Sequence, residues 1–460
     1  MSQSKSINKM ESKAMFPLLM SMSLPAMFSM LIQALYNVVD SIFVSQIGSQ
    51  ALNAVSIAYP LQMILISFGV GTGIGVNSLI ARRLGAKRFD EASDAATHGM
   101  VIAIVTWVVF LGIGAFLSKP FITLFSNNDT IITYGTEYLK VVLMCSLAAM
   151  VSMMGEKILQ ATGNMIIPML TQILGAVVNI ILDPLFIHGV GPFPKLEVKG
   201  AAIATIIGQL CSALFIVAML IFKDHDIKIS FRNFKFKMTV LKNIYMVGFP
   251  AIIMQSIGSV MVSGINAIIS MFAPSIDIKE AYINVFGIYF KLQSFVFMPV
   301  FGLSQGTSPI IGYNYGARNK KRLYQALKIC LAVAVVIMTF GFILFQFGSG
   351  FLLSLFEAEE LTLELGIPAF KLISLCFIPA AIGISFSTMF QAVGKGVQSM
   401  CMSILRQLVV LLPSAFLLAH ISLSVLWYAF PIAEGVALVV AILLFINLAK
   451  KDLKRLDAVE

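Results

Sequence analysis

Twelve apolar runs dominate the chain, and each is long enough to cross the roughly 30 Å hydrocarbon core of a bilayer, for which about 20 residues suffice. They fall at 16–48, 51–84, 92–118, 131–155, 164–188, 200–222, 238–272, 278–315, 323–347, 361–390, 398–420 and 423–448. An open strand cannot satisfy its backbone polar groups in lipid, so the runs are expected to be helices. The first, second, seventh and eighth are longer than a bilayer requires and are expected to tilt or project beyond it. Across the 460 residues 58% are hydrophobic and only 12% charged, where a soluble domain carries about 25% charge. That excludes a soluble enzyme, a disordered chain and a disulfide scaffold. The polar stretch 1–15 leads into a run too long for a cleavable signal, so this run is read as a retained first span.

Lysine and arginine set the orientation. Twenty-four of the 32 lie at the N-terminus, in the even-to-odd loops and in the tail, among them Lys5, Lys157, Lys395 and Arg455. The opposite loops hold Lys119, Lys195, Lys199 and Lys279. Both termini are therefore expected in the cytosol, with the chain multi-pass in the cell membrane. The net charge of +10 reflects this asymmetry and implies no nucleic-acid partner. Cys145, Cys211, Cys330, Cys376 and Cys401 all lie in apolar runs without a CxxC pair and read as small buried hydrophobes.

The polar break 223–237 divides the spans six and six, giving a first lobe 1–222, a linker and a second lobe 238–460. The halves match weakly at a constant offset. Gly71, Gly75, Gly85 and Ala86 correspond to Gly302, Gly306, Gly316 and Ala317; Gln160-Ala161-Thr162-Gly163 corresponds to Gln391-Ala392-Val393-Gly394. Pro25-Ala26 resembles Pro250-Ala251. The fold class expected is an all-α membrane protein of twelve transmembrane helices in two six-helix lobes. With six spans per repeat, the halves share an orientation and a pseudo-twofold axis along the membrane normal. Transporters built this way hold substrate between the halves.

An ionisable side chain inside the membrane is costly and marks a functional hypothesis. Asp40 lies in span one, Asn179 and Asp183 in span five, and Thr205 in span six. Asn179 precedes Asp183 by four residues and shares its helix face. All four fall at a similar depth near the outer helix ends. Two carboxylates, an amide and a hydroxyl suit a hard cation such as Na⁺; alternatively, one of two paired carboxylates carries a proton. Pro184 cannot donate to the Ile180 carbonyl and is expected to open span five there. Ile265 and Ser414 stand where the second half would hold the two acids, so the cation site is expected in the first lobe alone.

Arg406 and Glu434 are placed to form an ion pair in the second lobe. Lys140 and Lys371 read as structural or snorkelling, Lys291 has no evident partner, and Glu156 is expected in solvent at the cytosolic end of span four. Gly69, Gly71, Gly73 and Gly75 read as close helix packing rather than a phosphate loop. No HExxH motif occurs and His98, His188, His225 and His420 are scattered, so neither an enzyme nor a cofactor is expected.

Several stretches resemble the multidrug and toxic compound extrusion (MATE) family: Tyr36-Asn37-Val38-Val39-Asp40-Ser41-Ile42-Phe43-Val44, Asn179-Ile180-Ile181-Leu182-Asp183-Pro184-Leu185-Phe186-Ile187, Gly200-Ala201-Ala202-Ile203-Ala204-Thr205, and the two Gln-Ala-x-Gly turns. The resemblance spans the whole chain. It implies export of drugs or toxic organic cations in exchange for H⁺ or Na⁺. It looks closest to the branch whose Asp40, Asn179, Asp183 and Thr205 equivalents form the cation site, with Tyr36 nearby and Pro25 at a bend. The branch with acids in spans seven and ten fits poorly: Gln255 and Glu364 are all those spans offer. The expected partners are small molecules and lipid, and the expected state is a monomer. The rival reading is a flippase for a lipid-linked saccharide or phosphate, favoured if Lys140, Lys291 and Lys371 line one cavity.

Overall fold

The structure is a computed structural model. It describes residues 9–454 except 190, 191, 193, 224, 225, 233, 357 and 358; the side chains at 37, 41 and 45 are also outside the description. Lys5, His225 and Arg455 thus lie outside the described residues.

Every spanning element is a helix. The spans are α1 (Met15–Ser45), α2 (Ser49–Gly85), α3 (Phe89–Thr123), α5 (Ile166–His188), α6 (Glu197–Phe222), α7 (Met238–Phe272), α8 (Ile276–Gly316), α9 (Lys320–Phe347), α11 (Gly396–Ala419) and α12 (Leu426–Leu453). Two further spans are broken. α4 runs Asp129–Met144 and then Leu147–Ala161 with a 47° bend; α10 runs Glu360–Ser374 and then Phe377–Ala392 with a 46° bend. Counting each bent pair once gives twelve spans.

The breaks are stable because the carbonyls they release find donors. In a membrane an orphaned carbonyl costs several kcal/mol. At the α4 break Ser146 Oγ donates to Leu143 O at 2.8 Å and Trp107 Nε1 of α3 donates to Met144 O at 2.8 Å. At the α10 break Ser374 Oγ and Gln346 Nε2 of α9 both donate to Lys371 O, at 3.0 and 2.7 Å.

The backbone repeats more faithfully than the sequence. The α4 and α10 breaks fall at equivalent places, and Cys145 corresponds to Cys376. Lys87 and Arg318, again equivalent, are left-handed at φ 58° and 56°; Gly163 and Gly394 are left-handed at 90° and 88°. The Gln-Ala-x-Gly turns carry that glycine because an L side chain there is strained by roughly 1–2 kcal/mol.

Compactness groups the chain into two units, Met1–Met27 with Ile253–Glu460, and Phe28–Ile252. Two helices therefore change unit along their length, α1 just after Pro25 and α7 just after Pro250. The glycines explain where each early segment is held. In one unit, a β-carbon at Gly71 would lie 2.6 Å from Ile252 N, and one at Gly75 would meet Ile244 O and Gly248 N. In the other, a β-carbon at Gly302 would lie 2.5 Å from Met27 N, and one at Gly306 2.6 Å from Ser23 Cα. Only backbones stripped of side chains approach this closely. The same repeat-equivalent pair thus seats α7 on α2 and α1 on α8.

Two expectations need correction. Span five is not opened by its proline: α5 is continuous from Ile166 to His188 with Pro184 inside. The ring removes a single N–H, and the turns on either side keep their ladder. Cys145 and Cys401 are exposed rather than buried, since the outer surface of a spanning helix meets lipid and is as apolar as the core.

Candidate functional site

Within the unit Phe28–Ile252, α1, α5 and α6 bring Asp40, Asn179, Asp183 and Thr205 together. The contact begins with backbone. A β-carbon at Gly208 would lie 2.6 Å from Gly175 O and 3.2 Å from Asn179 Cβ, so α6 approaches α5 at van der Waals distance. Asn179 Nδ2 can then donate to both Asp183 Oδ1, at 3.2 Å, and Thr205 Oγ1, at 3.3 Å. Thr205 Oγ1 donates onward to Ala201 O at 3.0 Å. Tyr36 of α1 stands beside Thr205, within electrostatic reach of Asp40 and Asp183. Asp183 is fully buried, and Asn179 and Thr205 nearly so.

The donors run out before the acceptors do. Asp40 Oδ1, Asn179 Oδ1 and Asp183 Oδ2 are buried without a hydrogen-bond partner. Asp40 and Asp183 lie within electrostatic reach of each other. A buried carboxylate beside a half-buried one calls for a compensating positive charge. Three unpartnered oxygens, two from carboxylates and one from an amide, fit a hard monovalent cation or a proton. Asp40, itself half-buried, also borders a cavity of about 220 Å³ lined by Val44, Leu52, Val55, Ser56 and Tyr59, which gives the site an approach.

Tyr138 was not anticipated. Its hydroxyl donates to Gln62 Oε1 at 3.2 Å and it senses the charges of Asp40 and Asp183. It stands among Thr133, Tyr134, Thr136, Glu137 and Lys140, so the sequence alone does not single it out. Glu156 corrects the expectation of a solvated end. It is only 8% exposed, accepts from Gln172 Nε2 at 2.9 Å and from Ser152 Oγ at 3.5 Å. Helix α4 continues beyond it to Ala161, and α5 covers it.

In the other unit Arg406 Nη1 donates to Glu434 Oε1 at 3.1 Å. Arg406 lies in the π-helical stretch Leu405–Leu411 of α11, an irregularity frequent at functional places. Pro25 lies within continuous helix α1. Ile265, at the place equivalent to Asp40, is fully buried. Lys140, Lys371, Gln255 and Glu364 are exposed on their helices. Lys291, also exposed, stands over the Phe356 ring at 5.8 Å.

A helical membrane protein of twelve spans in two lobes, one holding a dry site of acids, amide and hydroxyl, has the build of a membrane transporter. The MatE family model matches residues 25–185 and 250–417, and the chain belongs to this family. Among curated relatives it is 28% identical to a FAD transporter of Shewanella oneidensis, over 88% of each chain. It is 25% identical to the multidrug export protein MepA of Staphylococcus haemolyticus, over 96% of this chain and 95% of the relative. Among solved structures, a MOP superfamily transporter from Pyrococcus furiosus aligns with TM-score 0.90 at 26% identity, covering 98% of this chain and all of the other. An outward-facing multidrug resistance MATE family transporter aligns equally well, covering 99% and 100%.

Proposed function

We propose that this MATE transporter exports amphipathic, often cationic, compounds across the cell membrane in exchange for H⁺ or Na⁺. It alternates between inward-open and outward-open states with both termini in the cytosol, and works as a monomer. The observation that carries the reading is the set of three unpartnered buried oxygens on Asp40, Asn179 and Asp183. Cation binding there drives export only if its affinity differs between the two states. Pro25, Tyr36 and Pro184, on the helices that hold this site, support or gate it. The MepA relatives support drugs as cargo.

The test is ethidium transport in everted vesicles under separate pH and Na⁺ gradients. Wild type should respond to at least one gradient, and Asp40→Asn and Asp183→Asn should each abolish the response at normal expression. Unchanged transport by either variant defeats the assignment. The relative described as a FAD transporter favours a second reading, in which the cargo is a flavin dinucleotide. FAD accumulation in the same vesicles, with no ethidium movement, would select it.

A further inference from the structure

Among the described residues, Glu156 is a buried carboxylate that the cation site does not use. Its two hydrogen-bond partners, Ser152 and Gln172, are neutral. The far end of the same amide, Gln172 Oε1, is buried without a partner. A buried carboxyl group beside an unsatisfied acceptor repeats the arrangement found around Asp183. Lys157, next in the chain and also 8% exposed, donates its ammonium to Gln160 Oε1 at 3.1 Å; its charge is felt by Glu156 from alongside.

The position on α5 links the two places. Gln172, Asn179 and Asp183 are spaced seven and four residues apart and share a helix face. Eleven residues at about 1.5 Å each put Gln172 roughly 16 Å along α5 from Asp183. Polar groups continue along the facing helix. Gln209, one turn from Thr205, has a buried Oε1 without a partner. Ser212, a turn further, donates to Thr171 O at 2.9 Å. The sequence therefore keeps amides and a hydroxyl along a contact that apolar residues could fill at less desolvation cost.

We propose that Glu156 and Gln172 form a second cation station of this unit, through which the coupling ion passes between the Asp40–Asp183 site and the cytosol. This rests on the ion-coupled reading above. The carboxylate and the Gln172 carbonyl offer oxygen ligands to Na⁺ or to a hydrated proton. The nearby Lys157 charge keeps the station weak, as an exit must be. No bond is made or broken beyond the transfer of the ion from one carboxylate to the other.

The test uses the full chain in proteoliposomes, with ethidium as cargo and pH and Na⁺ gradients applied separately, beside ethidium binding to the purified protein with and without the effective ion. Glu156→Gln should lose at least tenfold in gradient-driven transport, yet keep the ion-dependent change in ethidium binding that Asp183→Asn loses. Glu156→Asp should recover part of the transport, and Gln172→Ala should show a smaller loss of the same kind. Wild-type transport by Glu156→Gln overturns the station. So does loss of ion-dependent binding equal to that of Asp183→Asn, which would make Glu156 part of the first site. Failure of wild type to respond to either gradient overturns the coupling reading and the station with it. Melting temperatures of Glu156→Gln and Glu156→Asp close to wild type establish that neither loss is misfolding.

Discussion

Gly75 and Gly112 show how little residue type says without its neighbours. Both are glycines in apolar helices. A β-carbon at Gly75 would strike the α7 backbone, while one at Gly112 would meet nothing within 4 Å. Gly75→Ala should therefore cost about 1–3 kcal/mol of stability, the usual range for overpacking. Gly112→Ala should be neutral or slightly stabilising because alanine favours helix. Thermal unfolding in detergent separates them, and equal melting temperatures would refute the seat. The same contrast marks what a sequence exposes at this scale. Asp40, Asn179, Asp183 and Thr205 are visible as polar groups at one depth in apolar runs. Glu156 is misjudged because the reach of α4 and the cover of α5 are tertiary facts. Tyr138 escapes notice because its role depends on a turn of α4 facing α1 and α2.

At the scale of elements, the loop that follows α6 is fastened to the start of α3. Lys237 N–H donates to His98 Nε2 at 2.9 Å, so the ring proton sits on Nδ1 and donates to Asp94 O at 2.8 Å. Phe234 packs on the same ring at 4.8 Å, Lys228 N–H donates to Ser93 Oγ and Ser230 N–H to Thr97 Oγ1. Lys237 Nζ donates to the Asp94 carboxylate. That bond holds the lysine above its ordinary pKa. Its contribution is present at neutral pH and fades only as pH climbs through the raised value. His98→Phe removes the acceptor and should speed trypsin cleavage at Arg232 and Lys235; a digestion rate equal to wild type would mean the ring holds nothing. Run lengths foretold the helices, and Pro184 marks the limit of such reading. Its missing donor is plain in the sequence, whereas the neighbouring turns that absorb the loss are not.

For the whole molecule, the twelve runs and the two-lobe fold were legible, because bilayer thickness and backbone satisfaction leave few alternatives. The exchange of early helix segments was not, since nothing in α1 or α7 names the glycines that receive it. That exchange predicts how the chain behaves when cut after Lys223. Fragments 1–223 and 224–460, expressed together, should co-purify and transport, and each alone should be degraded. Stable, separately purified halves would contradict it.

The glycine seats also bear on descent. A half-length forebear would have had its own leading helix and its own bare groove, yet the geometry pairs each groove with the helix of the other repeat. Such a forebear could have completed itself only by trading arms with an identical sister, an isologous pair, and fusing the genes would have made that partnership permanent. Once fused, the copies were free to differ in the groups they carry, as Asp40 and Asp183 do from Ile265 and Ser414, without giving up their hold on each other.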